Sequence, residues 1–138
     1  MRKLLVTVLA AVLSVIALAQ EKKLKTVPAP NVDQTDGAEM YKSYCASCHG
    51  ITGEGNGPAA EALKVAPANL TRLRRNNNGK FPEARVLAVL EGKQDFRAHG
   101  STEMPVWGSV FRVMAQGDRS SPQLRMRNLT RHVESLQR

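Results

Sequence analysis

The chain has 138 residues, enough for one domain, and 20 basic against 12 acidic side chains give it a formal charge of +8. A solvated basic surface is the plain reading of that excess, and a docking face steered by long-range charge is the sharper one. Aromatic residues make up only 4% of the chain, which together with the export leader described next argues against a nucleic-acid partner.

Arg2 and Lys3 precede an uncharged run from Leu4 to Ala19, which ends in Ala17-Leu18-Ala19. A basic start, an apolar centre and a small-x-small end make residues 1–19 a signal peptide, so the protein is expected to be exported and periplasmic. The run is slightly short for a spanning helix, and a retained membrane anchor through residues 4–19 is the other reading. Without the leader the charge is +6 and the chain is poorer in apolar residues than its overall 42%. Such a composition suits a core built around a cofactor. Residues 20–35 are polar, charged and broken by Pro28 and Pro30. They read as a flexible linker without packing partners.

No stretch alternates apolar and polar residues for long enough to make a sheet, so residues 36–138 read as one all-α domain. The first helix starts at Asp36, with Glu39 as its capping-box partner. Tyr41, Tyr44, Cys45 and Cys48 share one of its faces. Gly37 is a poor helix former, or a place where another helix crosses closely.

Both cysteines of the chain lie in Cys45-Ala46-Ser47-Cys48-His49. Cys-x-x-Cys-His is the attachment signature of c-type haem: two thioether bonds fix the porphyrin, and the histidine takes one axial position on the iron. Helical spacing puts Cys45 and Cys48 on one face, with His49 able to turn under the ring they hold. A thioredoxin-like dithiol wants a preceding strand and a βαβ setting, which are not visible. A structural zinc site needs about four ligands, and no second cysteine pair exists.

Gly53-Glu54-Gly55-Asn56-Gly57 follows. It lacks the strand and the lysine of a phosphate-binding loop and reads as a tight loop over the haem edge. Pro58 starts a short helix reaching about Lys64. Val65 to Lys80 is loop, with Arg72, Arg74 and Arg75 as a solvated cluster. Pro82 and Gly92 bracket a further helix with Val86, Leu87 and Leu90 as its buried stripe. Gln94 to Trp107 is a long irregular segment holding His99, Met104 and Pro105, and such segments are often functional. Val110 to Met114 adds a helical turn. Ser121 and Pro122 open a last helix with Met126, Leu129, Val133 and Leu136 on its apolar face.

Taken in this order, Gly37 and Tyr41, the CxxCH pentapeptide, the loop ending Gly57-Pro58, the Met104-Pro105-Val106-Trp107 run and the final helix with Leu129 resemble the small monohaem class I c-type cytochromes. The resemblance covers about Asp36 to Gln137. It implies a small globular cytochrome c fold with helices packed around one covalent haem c. In that fold the first and last helices cross at Gly37, Tyr41 and Leu129. Where the family places an aromatic three residues after the leucine, this chain has His132, which alters the crossing contact.

The resemblance also implies Met104 as the second axial ligand to the iron, opposite His49. A thioether is a soft donor that favours Fe(II) and raises the reduction potential. His99 is the competitor, while Met40, Met114 and Met126 read as core filling. By the same resemblance, the Pro58 carbonyl accepts the proton on the other nitrogen of His49. Arg85 and Trp107 are candidates for hydrogen bonds near the haem propionates, with ordinary surface and packing roles as the other reading.

The expected function is electron transfer, as a periplasmic shuttle or as the cytochrome subunit of a redox complex. Such a protein is an electron carrier, not an enzyme in its own right, and meets redox partners with acidic faces through a small interface. The alternative is a haem-based gas-binding or sensing protein with a displaceable sixth ligand.

Overall fold

The computed structural model describes residues 29–93, 104–116 and 121–138. The leader, the start of the linker and His99 lie outside the described residues. Among the described residues all regular structure is helical: α1 (Gly37–Tyr44), α2 (Ala46–His49), α3 (Glu83–Glu91), α4 (Trp107–Ala115) and α5 (Pro122–Ser135). Short 3-10 turns cover Ala60–Ala62, Leu70–Arg72 and Arg75–Asn77.

The caps form where the sequence marks them. The Asp36 carboxylate accepts the Glu39 N–H at 2.9 Å and opens α1. The reciprocal half of the capping box is absent, because the Asp36 N–H goes to the Asp33 carbonyl at 3.3 Å. Gly92 ends α3 in the left-handed region at φ 72°. Ser121 accepts the Leu124 N–H at 3.3 Å, and Pro122 occupies the first turn of α5.

The core is organised on the crossing of α1 and α5. A Cβ on Gly37 would lie 2.4 Å from the Asn128 carbonyl oxygen, so only glycine permits this approach of the two backbones. Below that point Tyr41 meets His132 with ring centroids 4.9 Å apart, and Met40, Met126, Leu129 and Val133 fill the interface. α4 closes the other side. Its Trp107 and Phe111 pack on Tyr44 at 5.1 Å and 5.6 Å.

Three local expectations change. The helix expected after Pro58 is reduced to the Ala60–Ala62 turn, since no side chain caps it and it is too short to repay nucleation. α4 begins at Trp107, not Val110, because Trp107 and Phe111 one turn apart both bury against Tyr44. Residues 29–35 are docked on the protein, not a linker without partners. Tyr44 donates its hydroxyl to the Pro30 carbonyl at 2.8 Å, and Asn128 donates to the Gln34 carbonyl at 2.8 Å. Arg125, only 1% exposed, donates to the Val32 carbonyl and to Asn31 Oδ1 and lies over the Phe111 ring.

Candidate functional site

α1 stops at Tyr44, and Cys45 (φ −115°) is the joint at which the helix restarts as α2. Backbone bonds carry the chain across this joint, from Cys45 N–H to the Tyr41 carbonyl and from His49 N–H to the Cys45 carbonyl, each 2.8 Å. Both cysteines are free thiols, Cys45 buried and Cys48 half-buried. Burial, with Cys48 adding to it, pushes the Cys45 thiol up to about 12. A redox dithiol needs the opposite shift. No cluster of three or more His, Cys, Asp or Glu side chains fit for a metal ion occurs among the described residues.

His49 Nδ1 lies 3.0 Å from the Ala68 carbonyl. A carbonyl only accepts, so the ring proton sits on Nδ1 and Nε2 carries the free lone pair. Burial holds the ring below its usual 6.5 in spite of that hydrogen bond, and therefore neutral. A neutral imidazole with one nitrogen fixed and the other open has the chemistry that ligating a metal requires.

The expected partner was the Pro58 carbonyl, and the backbone shows why it is Ala68. Gly57 donates to the Cys48 carbonyl at 3.1 Å and Ala59 to the Ser47 carbonyl at 2.8 Å, which fastens Pro58 along the end of α2. A Cβ on Gly57 would stand 2.4 Å from the Ser47 oxygen. Meanwhile the glycine loop turns under His49. Gly55 N–H bonds the His49 carbonyl at 2.8 Å, and Leu70 N–H bonds the Gly53 carbonyl at 2.7 Å. Gly55, at φ 85°, lets Pro67 pack directly on the loop. These contacts deliver Ala68 to the imidazole. The Tyr41 hydroxyl, buried at the helix crossing, donates to the Gly50 carbonyl at 2.8 Å and ties down the peptide after His49.

Met104 is half-buried against the core, three residues ahead of Trp107. The chain here is seated on α3: Val106 fills the space beside Gly92, and Gly108 passes over Glu91, where an added Cβ would be 3.1 Å from the Glu91 Cα. Because Trp107 rests on Tyr44, the Met104 segment enters on a helix packed against the one that leads into Cys45.

A family model described as cytochrome c oxidase, cbb3-type, subunit III, matches residues 32–116. The chain belongs to this family of c-type cytochrome domains. Over 92 residues the cytochrome is 32% identical to the polyvinylalcohol dehydrogenase of Sphingopyxis sp. (strain 113P3), a stretch covering 60% of this chain and 14% of that protein. No solved structure matches at a significant level.

A c-type cytochrome domain binds haem c covalently and transfers electrons through it. The residues present fit that group. Two reduced thiols at helical spacing stand beside a neutral, pre-oriented histidine. The remaining expected residues divide. Trp107 is 7% exposed and packed between Tyr44 and Phe111, as a core residue. Arg85 is exposed on α3. Sequence reasoning missed Ala68 and the Tyr41 hydroxyl. For Ala68 a local signal existed in Asn69, whose side chain accepts the Thr71 N–H at 3.0 Å and caps the turn that follows the carbonyl.

Proposed function

We propose that this cytochrome is an exported one-electron carrier with His49 and Met104 as axial ligands, held to its haem through Cys45 and Cys48. The observation that carries this reading is the braced His49: its tautomer, its neutrality and its orientation are fixed before any ligand arrives. The haem supplies the Fe(III)/Fe(II) couple. The chain supplies a buried anchor at Cys45, a ligand made more basic by the Ala68 carbonyl, and a methionine in a segment seated on α3 and α4. With His49 and Met104 both holding the iron, little rearrangement would accompany the change of charge, as a carrier requires.

The chain works as a periplasmic shuttle or as the cytochrome subunit of a redox complex. The likeness to a stretch of a protein named as a dehydrogenase supports a place beside an enzyme that releases electrons. The exposed Arg72, Arg74 and Arg75 and the net charge of +6 that remains without the leader favour a partner with an acidic face.

Met104→Ala tests the ligation. The reduction potential should fall and the ferric spectrum should change, as a thioether that favours Fe(II) is removed. An unchanged potential and spectrum would refute methionine ligation. Rapid binding of carbon monoxide by the unmodified ferrous protein would instead support the gas-binding alternative.

A further inference from the structure

The carbonyl that orients His49 belongs to a loop residue, and a loop needs something to hold it. Ala68 sits between the glycine loop and the Leu70–Arg72 turn. The turn is stiffened from within by Asn69, whose Oδ1 accepts both the Thr71 N–H (3.0 Å) and the Thr71 hydroxyl (2.7 Å). From outside, one side chain among the described residues holds it. Gln137, just past α5, donates through Nε2 to the Leu70 carbonyl at 2.7 Å and to the Val133 carbonyl at 2.8 Å. Its Oε1 accepts the Arg74 N–H at 2.8 Å.

Both protons of that amide and one lone pair of its oxygen have a use. Its orientation is also unique, because a flipped amide would turn its oxygen toward two carbonyls and its nitrogen toward an N–H. The neighbouring residue reinforces the grip: the Arg138 N–H bonds the Thr71 carbonyl at 3.0 Å, and the Arg138 guanidinium meets Glu54 of the glycine loop at 2.7 Å.

We propose that Gln137 is a positioning residue for the axial histidine: by fastening Leu70 and Arg74 to the end of α5, it holds the Ala68 carbonyl on His49 Nδ1. The inference rests on the reading of His49 as a haem ligand. Its consequence is electronic as well as mechanical. A firm Nδ1–H···O bond makes the imidazole a stronger donor, which favours the ferric state. Loosening it raises the reduction potential.

The test uses the full-length, haem-loaded protein. Gln137→Met keeps the length and apolar stem and removes the amide. It should shift the reduction potential upward, move the His49 Nδ1–H resonance in the NMR spectrum, and speed hydrogen exchange of the Arg74 amide. Asn128→Ala is the control on the same helix. It loses the bond to the Gln34 carbonyl and should lower the melting temperature without moving the potential. If Gln137→Met lowers the melting temperature but leaves potential and resonance in place, Gln137 is only structural and the proposal fails. Fast exchange of the Arg74 amide in the unmodified protein would also overturn it. Failure of the underlying reading looks different: His49→Ala would leave the absorption spectrum of the haem-loaded protein unchanged.

Discussion

His49 and Tyr41 divide one task between them. The Ala68 carbonyl orients the imidazole, and the Tyr41 hydroxyl fixes the Gly50 peptide that follows it. Burial pushes the Tyr41 phenol up to about 12, so it remains a donor throughout the ordinary pH range. Tyr41→Phe removes one buried hydrogen bond from a carbonyl that keeps a second one, from Gly53 N–H at 3.1 Å. It should therefore cost about 1 kcal/mol in denaturant unfolding, with the haem retained.

His132 gives a pH prediction. Desolvation at the helix crossing lowers its pKa from 6.5, with Asp36 acting the other way and Tyr41 as its ring neighbour. The unfolded chain then binds the proton first. Stability tied to this residue is complete above pH 6.5 and is lost as pH falls below it, until the folded form also protonates. His132→Phe should remove that step, seen by comparing unfolding midpoints above and below pH 6.5. An equal drop in both proteins would contradict it.

At the scale of elements, the contact of α1 with α5 decides the architecture. Gly37→Ala forces a Cβ to within 2.4 Å of backbone that cannot rotate away. It should destabilise the protein by about 1–3 kcal/mol in thermal or denaturant unfolding, more than Gly79→Ala loses through contacts, since nothing lies near Gly79.

This crossing was legible in the sequence because Gly37, Tyr41 and Leu129 match positions of a known family pattern. The helix caps were legible because Asp36, Gly92 and Ser121-Pro122 act on their immediate neighbours. The docking of residues 29–35 was not. Proline and polar residues there look unattached, and the donors that hold them lie elsewhere in the chain, Tyr44 in α1 and Arg125 and Asn128 in the last helix. The start of α4 was hidden for a related reason: tertiary burial of Trp107 and Phe111, not a cap, fixes it.

For the whole molecule, the CxxCH signature was readable because its chemistry is carried by side chains in five consecutive residues. The brace on His49 was not, since a backbone carbonyl can be offered by any residue and only the folded loop selects Ala68 over Pro58. Around this site the chain places a small core of α1, α4 and α5, to which the covalent haem adds apolar surface. A covalent haem stays on the unfolded chain, so it would favour folding only through the apolar surface it buries in the folded one.

The most direct measurement is an absorption spectrum of the matured protein, poised in turn at oxidising and reducing potentials. The account predicts covalently bound haem that is low-spin in both states, with the signature of methionine coordination in the ferric form. A high-spin ferric spectrum, or haem that extracts from the protein, would contradict it.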